Sequence, residues 1–317
     1  MLIYFLSLAL AFFVTYLTTP VVKRLAAKIG AVDVPNDRKI HSFPVPRLGG
    51  LSIYAGFMAA VGLAFLLAKL AGSRLNFAMG AGVVLGGSLL MLVGIFDDIH
   101  TLRPTTKLVW QTIASGIVIA FGVEISFISN PFNGILSLGI LAVPLTLFWM
   151  VGVTNAINLI DGLDGLATGV TAIASLTLFF VALRTHQVGA AILMISLFGA
   201  CLAFLRFNFF PATIFLGDSG SMLLGFILAA SSVIGVLKTT LVVALIVPLL
   251  VLGVPIMDTL FAIGRRIKNG RHPFEADNKH IHHLLLNAGL NKREAVLAIY
   301  AACFMLSYIA LAMALPK

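Results

Sequence analysis

The chain has 317 residues, of which 60% are hydrophobic and only 10% charged, against about a quarter charged in a soluble domain. With a mean hydropathy of +1.07 it lacks the polar surface of a water-soluble globule, and lipid is the expected solvent. The net charge of +9 is no argument for nucleic acid, because excess Lys and Arg in a membrane chain record its topology.

Ten spans are predicted in chain order, near 2–22, 48–68, 77–96, 107–123, 135–154, 166–183, 188–205, 220–236, 240–263 and 294–315. Each approaches the length that crosses a bilayer, and each must be helical, since lipid offers no partner to an open sheet edge. The expectation is an all-α integral membrane protein, residues 1–317 forming a single polytopic domain. The first run is too long for a signal-peptide core and has its cations, Lys23 and Arg24, after it, so it reads as a retained span. Glycines 80, 82, 86, 87 and 94 in the third span predict close helix packing. Pro144, Pro248 and Pro255 predict kinks. Ile125–Gly134 reads as a turn or short hairpin. Cys201 and Cys303 lie in apolar runs and read as buried thiols.

Ten spans leave five loops on one side and four loops with both termini on the other. The five-loop side carries sixteen of the 21 Lys and Arg residues, which assigns it to the cytoplasm. It also holds every acidic residue except Glu124 and every histidine except His186. The positive-inside rule says nothing about Asp or His, so these residues need another explanation.

Asp97 and Asp98 end the third span. Adjacent carboxylates at a membrane edge are either solvated helix-end charges or partners of a divalent cation. In NAINLIDGLDGLATG, residues Asn155, Asn158, Asp161 and Asp164 recur every third position. They would fan over about half a straight helix, so they can face one site only if the helix breaks, and Gly162 and Gly165 offer the break. In RFNFFPATIFLGDSGS, Asp218 stands where the eighth span begins, as a helix cap or as a metal ligand beside a phosphate-favouring helix N-terminus. The long loop from Arg265 to Glu294 carries Arg271, Lys279, His280, His282 and His283, donors that suit a diphosphate better than Zn²⁺. The first loop offers Arg38, Lys39, His41 and Arg47, which could equally meet anionic lipid. Asp258 is expected to pair with Arg265 or Arg266. No phosphate-binding Walker loop or nucleophile elbow is found. Carboxylates for a divalent metal, cations for phosphates and a membrane for a lipid together indicate phosphoryl transfer involving a lipid.

The set Asp97-Asp98, NAINLIDGLDGLA (155–167), FNFFPATIFLGDSGS (207–221) and HIHH (280–283) resembles the polyprenyl-phosphate N-acetylhexosamine-1-phosphate transferases, glycosyltransferase family 4, over nearly the whole chain and in order. The resemblance implies a ten-helix fold with the five cytoplasmic loops forming the active site. It implies transfer of a sugar-1-phosphate from a UDP-amino sugar to undecaprenyl phosphate with Mg²⁺ (Mn²⁺ as a substitute), UMP leaving. The loop PFEADNKHIHH, in place of the compact PxHHH of the MraY or phospho-MurNAc-pentapeptide branch, is similar to the WecA/TagO branch. That branch uses UDP-GlcNAc to begin O-antigen, enterobacterial common antigen or teichoic acid. By motif match Asp218 binds the metal, with Asn158 as second ligand. Asp97, Asp98, Asp161 and Asp164 are catalytic. Phe215 stacks on uracil beside Asn208. Arg271, His280, His282 and His283 hold the sugar diphosphate, and Arg38, Lys39 and Arg47 are further phosphate contacts. A homodimer in the plasma membrane is also implied. Whether transfer takes one step or two stays open. Of the rivals, an intramembrane prenyltransferase wants a third aspartate near Asp97-Asp98, and a transporter wants charges at mid-membrane.

Overall fold

A computed structural model describes residues 1–34, 44–70, 72, 77–130, 134–236, 246–270 and 280–314. Among them, eight helices are long and apolar enough to cross a membrane. In chain order these are α1 (Leu2–Lys28), α2 (Gly49–Leu70), α3 (Phe77–His100), α5 (Ala142–Ile160, entered by a 3₁₀ turn), α6 (Leu166–Arg184), α7 (Val188–Asn208), α8 (Gly217–Val236) and α12 (Lys292–Ala314). The expected fourth span is the 17-residue α4 (Pro104–Ala120), and the ninth is broken at Leu252 into α9 (Val247–Val251) and α10 (Gly253–Lys268). A short helix, α11 (Ile281–Asn287), carries the end of the histidine motif.

Helix α8 is the centre of the bundle. It packs against α2, α3, α5, α6 and α7, and 89% of its apolar window is buried, against 22% for α1 and 28% for α12 at the periphery. The outer helices turn Phe5, Phe13, Leu17, Phe304, Met305 and Tyr308 outward, the pattern that lipid solvates without cost. The glycines of α3 serve packing as expected: a methyl group on Gly86 would lie 2.5 Å from Phe226, and one on Gly82 2.7 Å from Phe121.

Several expected boundaries move. Helix α1 continues to Lys28, so Lys23 and Arg24 lie on the helix, and α3 continues to His100, so Asp97 and Asp98 occupy its last turn. Of the three prolines expected to kink helices, Pro144 instead stands at a helix start, whereas Pro248 and Pro255 flank the interruption at Leu252 in the ninth span. Pro144 is the third residue of α5, Pro248 the second of α9 and Pro255 the third of α10, positions where the missing N–H has no helical partner to lose. The expected hairpin forms from β3 (Phe127–Asn130) and β4 (Gly134–Ser137), antiparallel. Near the other face β1 (Val32–Asp33) pairs with β2 (Val45–Pro46).

Candidate active site

Helix α5 ends at Ile160 and α6 begins at Leu166 with Gly165 in the left-handed region, φ +79°. The break divides the asparagine–aspartate series. Asn155 turns toward α4, where its amide donates to Gln111 Oε1 at 2.6 Å. Asn158, Asp161 and Asp164 face a cavity of about 390 Å³ together with Asp98, Asp218 and Ser221. Asn208, Phe215, Arg47 and Asp33 continue the wall, and His282, His283 and Lys292 close it. Residues from six segments distant in sequence thus share one cavity at the loop ends of the bundle.

The first turn of α8 is held from outside its own helix. The Asp98 carboxylate accepts the backbone N–H groups of Asp218 at 2.9 Å and Ser219 at 3.1 Å. It is the N-cap that α8 lacks locally. Gly217, with φ +76°, makes the turn possible, and a methyl group there would meet Asp98 Oδ2 at 2.6 Å. The same turn is gripped by two glycines. A Cβ on Gly50 would lie 2.2 Å from the Gly220 nitrogen, and one on Gly94 2.3 Å from the Ser219 Cα. The segment before it is zipped to the first loop. Phe215 N–H donates to the Pro46 carbonyl at 2.8 Å, and Gly49 and Gly50 N–H donate to the Phe215 and Leu216 carbonyls at 2.9 Å each.

Asp218 reaches the cavity from this clamp. The Asn158 amide donates to Asp218 Oδ1 at 2.6 Å and to Ser221 Oγ at 2.7 Å. Lys107 Nζ lies 3.3 Å from Asp218 Oδ1 and 2.5 Å from Asp97 Oδ2, and Leu102 N–H donates to Asp97 Oδ1 at 2.6 Å. Asp97 is thereby taken up behind the wall. Asp164 accepts Ala212 N–H at 2.9 Å and ties the α5–α6 turn to the α7–α8 segment. Asn208 is also engaged at both ends, accepting from Thr168 Oγ1 at 2.9 Å and donating to the Ile214 carbonyl at 3.1 Å.

Asp161 differs from all of these. Its carboxylate has no hydrogen bond or ion pair among the described residues. Half-buried at the wall, it is pushed well above the usual carboxylate range by desolvation, and then by the charges of Asp218, Asp98 and Asp164. A cation would relieve that repulsion. Among the described residues no three His, Cys, Asp or Glu side chains close into a ready-made metal cage. Mg²⁺ does not need one, since it is usually held by one or two carboxylates, waters and substrate phosphate. Asp161 and Asp218 on one cavity fit that demand. Asn158 presents its amide N–H₂ to Asp218, so it would ligate through oxygen only after the amide turns.

The opposite wall is imidazole. His282 is 2% exposed, and its Nδ1 is buried without a partner among the described residues. Its ring lies against the α5–α6 turn, so that a methyl group on Gly162 would be 2.4 Å from His282 Nε2. Desolvation, then His283 and His280, bring the His282 pKa down to about 4, so it is neutral at physiological pH. The unfolded chain takes a proton near 6.5 and the folded chain only near 4. Stability from this residue is therefore complete above pH 6.5 and declines as the pH falls toward 4. The thermal midpoint of the detergent-solubilised protein should drop over that window, and by less in His282→Asn.

Arg47 is a strut as well as a wall residue. Its Nε and Nη2 donate to the Asp98 carbonyl at 3.0 and 2.7 Å, and Nη1 is 3.8 Å from Asp33. Lysine cannot reproduce the fork. Arg47→Lys should destabilise the fold by about 1.5 kcal/mol, seen as a lower unfolding midpoint in detergent.

The expected pairing of Asp258 with Arg265 or Arg266 gives way to another. Its carboxylate receives Ile281 N–H at 2.8 Å and contacts His280 Nδ1 at 2.8 Å. Arg38, Lys39 and Arg271 lie outside the described residues. Sequence reasoning did not single out Asp33, Lys107, Ser221 or Lys292. For Lys107 a signal existed: it stands at the start of the helix after Asp97-Asp98, one turn before Gln111.

Residues 80–236 match the family model described as Glycosyl transferase family 4. A Bacillus subtilis (strain 168) protein named "Probable undecaprenyl-phosphate N-acetylglucosaminyl 1-phosphate transferase" is 40% identical over 96% of this chain and 85% of its own length. The chain belongs to glycosyl transferase family 4. A Mycolicibacterium smegmatis member named decaprenyl-phosphate N-acetylglucosaminephosphotransferase is 39% identical over 90% of this chain and 76% of its own length. An Escherichia coli (strain K12) member, undecaprenyl-phosphate alpha-N-acetylglucosaminyl 1-phosphate transferase, is 29% identical over 90% and 77%. The family match begins at Gly80 and ends at Val236. It therefore includes Asp97, Asp98, Asn158, Asp161, Asp164 and Asp218, whereas Arg47, His280, His282 and His283 lie beyond it.

Proposed function

We propose that this family 4 member transfers GlcNAc-1-phosphate from UDP-GlcNAc to a polyprenyl phosphate such as undecaprenyl phosphate, with release of UMP, at the cytoplasmic face of the cell membrane. The observation that carries the reading is the Asp161 carboxylate, without a hydrogen bond or ion pair among the described residues, sharing one cavity with Asp218, with His283 and with His282, which is neutral at physiological pH. The names of the relatives supply the sugar and the lipid. The Lys and Arg distribution supports the orientation. The product would be the first lipid-linked sugar of a surface glycopolymer.

The acceptor phosphate has a second pKa of about 6, so it is largely a dianion at neutral pH and needs no strong base. The difficulty is bringing it to a diphosphate, anion against anion. His282, His283, Arg47 and Lys292 line the wall where the donor phosphates would lie; imidazole N–H can donate a hydrogen bond to them, and the Arg47 and Lys292 cations offset their charge. Phe215 offers a ring for the uracil. Mg²⁺ held by Asp161 and Asp218 would neutralise charge on the phosphoryl oxygens and on departing UMP. Asp98 acts here through α8, fixing the backbone from which Asp218 projects. Asp97 and Lys107 form the ion pair next to it.

The purified protein, offered UDP-GlcNAc and UDP-MurNAc-pentapeptide separately with undecaprenyl phosphate and Mg²⁺, should form labelled lipid from UDP-GlcNAc alone. Product from the pentapeptide donor alone would move the chain to the peptidoglycan reaction. Product from neither would refute both.

A further inference from the structure

We infer that Asp258 is a positioning residue for donor binding: with His280 it forms a buried clamp that seats the histidine helix on the cavity. The inference rests on the proposed transfer reaction for its kinetic readout, but not for its structural one.

Helix α11 has seven residues. An isolated helix shorter than about 12 residues is marginal in water, and this one has no side-chain cap of its own at His280. Its stability and placement must come from outside. Asp258, on α10, supplies both. One carboxylate oxygen receives Ile281 N–H at 2.8 Å, satisfying a first-turn donor of α11, and the other contacts His280 Nδ1 at 2.8 Å. Asp258 and His280 are each 5% exposed, and a carboxylate so buried is tolerated only when paired and hydrogen-bonded.

His280 is not among the residues that face the cavity, whereas His282 and His283 are. Its ring is stacked behind His282, centroids 6.0 Å apart and planes 4° from parallel, and His282 in turn lies 4.2 Å from His283. The first histidine of HIHH thus connects the clamp to the two that meet the ligand. Because His282 also presses on Gly162, next to Asp161, the clamp sets the distance between the imidazole wall and the carboxylate wall. Loss of the clamp should act on the ligand held between those walls, the nucleotide-sugar diphosphate, more than on the lipid.

The test uses the full chain in detergent or nanodiscs, with hydrogen–deuterium exchange and steady-state kinetics on Asp258→Ala and Asp258→Asn. Asp258→Ala should speed exchange in residues 281–287 and raise KM for UDP-GlcNAc by about ten-fold or more, with KM for undecaprenyl phosphate unchanged. Asp258→Asn keeps an oxygen for Ile281 N–H and should restore protection and most of the donor affinity. Where Asp258→Ala does not accumulate, His280→Ala carries the kinetic arm, with Ile281 still protected and donor KM raised. Unchanged exchange in Asp258→Ala would overturn the clamp, and so would faster exchange throughout the chain in both variants. A wild-type protein without transfer activity would refute the reaction instead, leaving the exchange arm to decide the clamp.

Discussion

Asp161→Asn should lower turnover by a factor of about 10³ or more while leaving the protein as heat-stable as wild type, or more so. The two effects come from one cause. Asp161 has no partner among the described residues, and burial with Asp218, Asp98 and Asp164 nearby raises its pKa well above the usual carboxylate range. A raised carboxylate pKa means the folded state holds its proton longer than the unfolded state. At neutral pH the ionised side chain therefore works against folding. Asparagine keeps the shape and removes the charge, which relieves the fold. It also removes a charge that would bind a divalent ion and, with it, the donor phosphates. Activity assays and thermal unfolding on the same preparation check both halves. Lost activity with lost stability would mean that Asp161 is a structural residue.

Gly50→Ala and Gly94→Ala should each reduce activity by about 100-fold or more and destabilise the fold by roughly 1–3 kcal/mol, the usual effect of overpacking. The added methyl group of the first would lie 2.2 Å from the Gly220 nitrogen, and that of the second 2.3 Å from the Ser219 Cα. These are backbone atoms and cannot swing aside like the end of a side chain. The first turn of α8 must move, taking Asp218 with it and pulling its N–H groups from Asp98. Gly62→Ala and Gly116→Ala are the matched controls, since a methyl group at either meets nothing within 4 Å, and both should be silent. Expression-normalised activity and unfolding midpoints for the four variants decide the point. Equal behaviour of all four would remove the clamp on α8 from the account.

How much of this was legible in the sequence depends on the range of each interaction. The composition and the apolar runs announce the helices, because burial in lipid is a property of a whole segment. The three-residue spacing of Asn155, Asn158, Asp161 and Asp164, with two glycines, announces a broken helix, because helix geometry is local. It does not say that Asn155 would turn to Gln111 while the others meet the cavity. That depends on where α4 packs. Nor could local reading find that Asp98 caps α8. Ordinary caps act within three residues, and Asp98 caps a helix 120 positions downstream. Asp258 has the same history: Arg265 and Arg266 are its near neighbours in sequence, but its partners lie 22 and 23 residues away. Pro144 misleads for a simpler reason. A proline marks a helix start as readily as a kink, and the helix boundaries that distinguish the two are the least legible part of a hydrophobic run.

In the proposed reaction the sugar leaves UDP-GlcNAc with its own phosphate attached. The nucleotide released by the purified protein with UDP-GlcNAc, undecaprenyl phosphate and Mg²⁺ tests it most directly. Chromatography of the reaction should show UMP, in step with a lipid diphosphate sugar, and no release in Asp161→Asn. UDP, with the sugar joined to lipid through a single phosphate, would show a glycosyl rather than a phosphoryl transfer and would contradict the account.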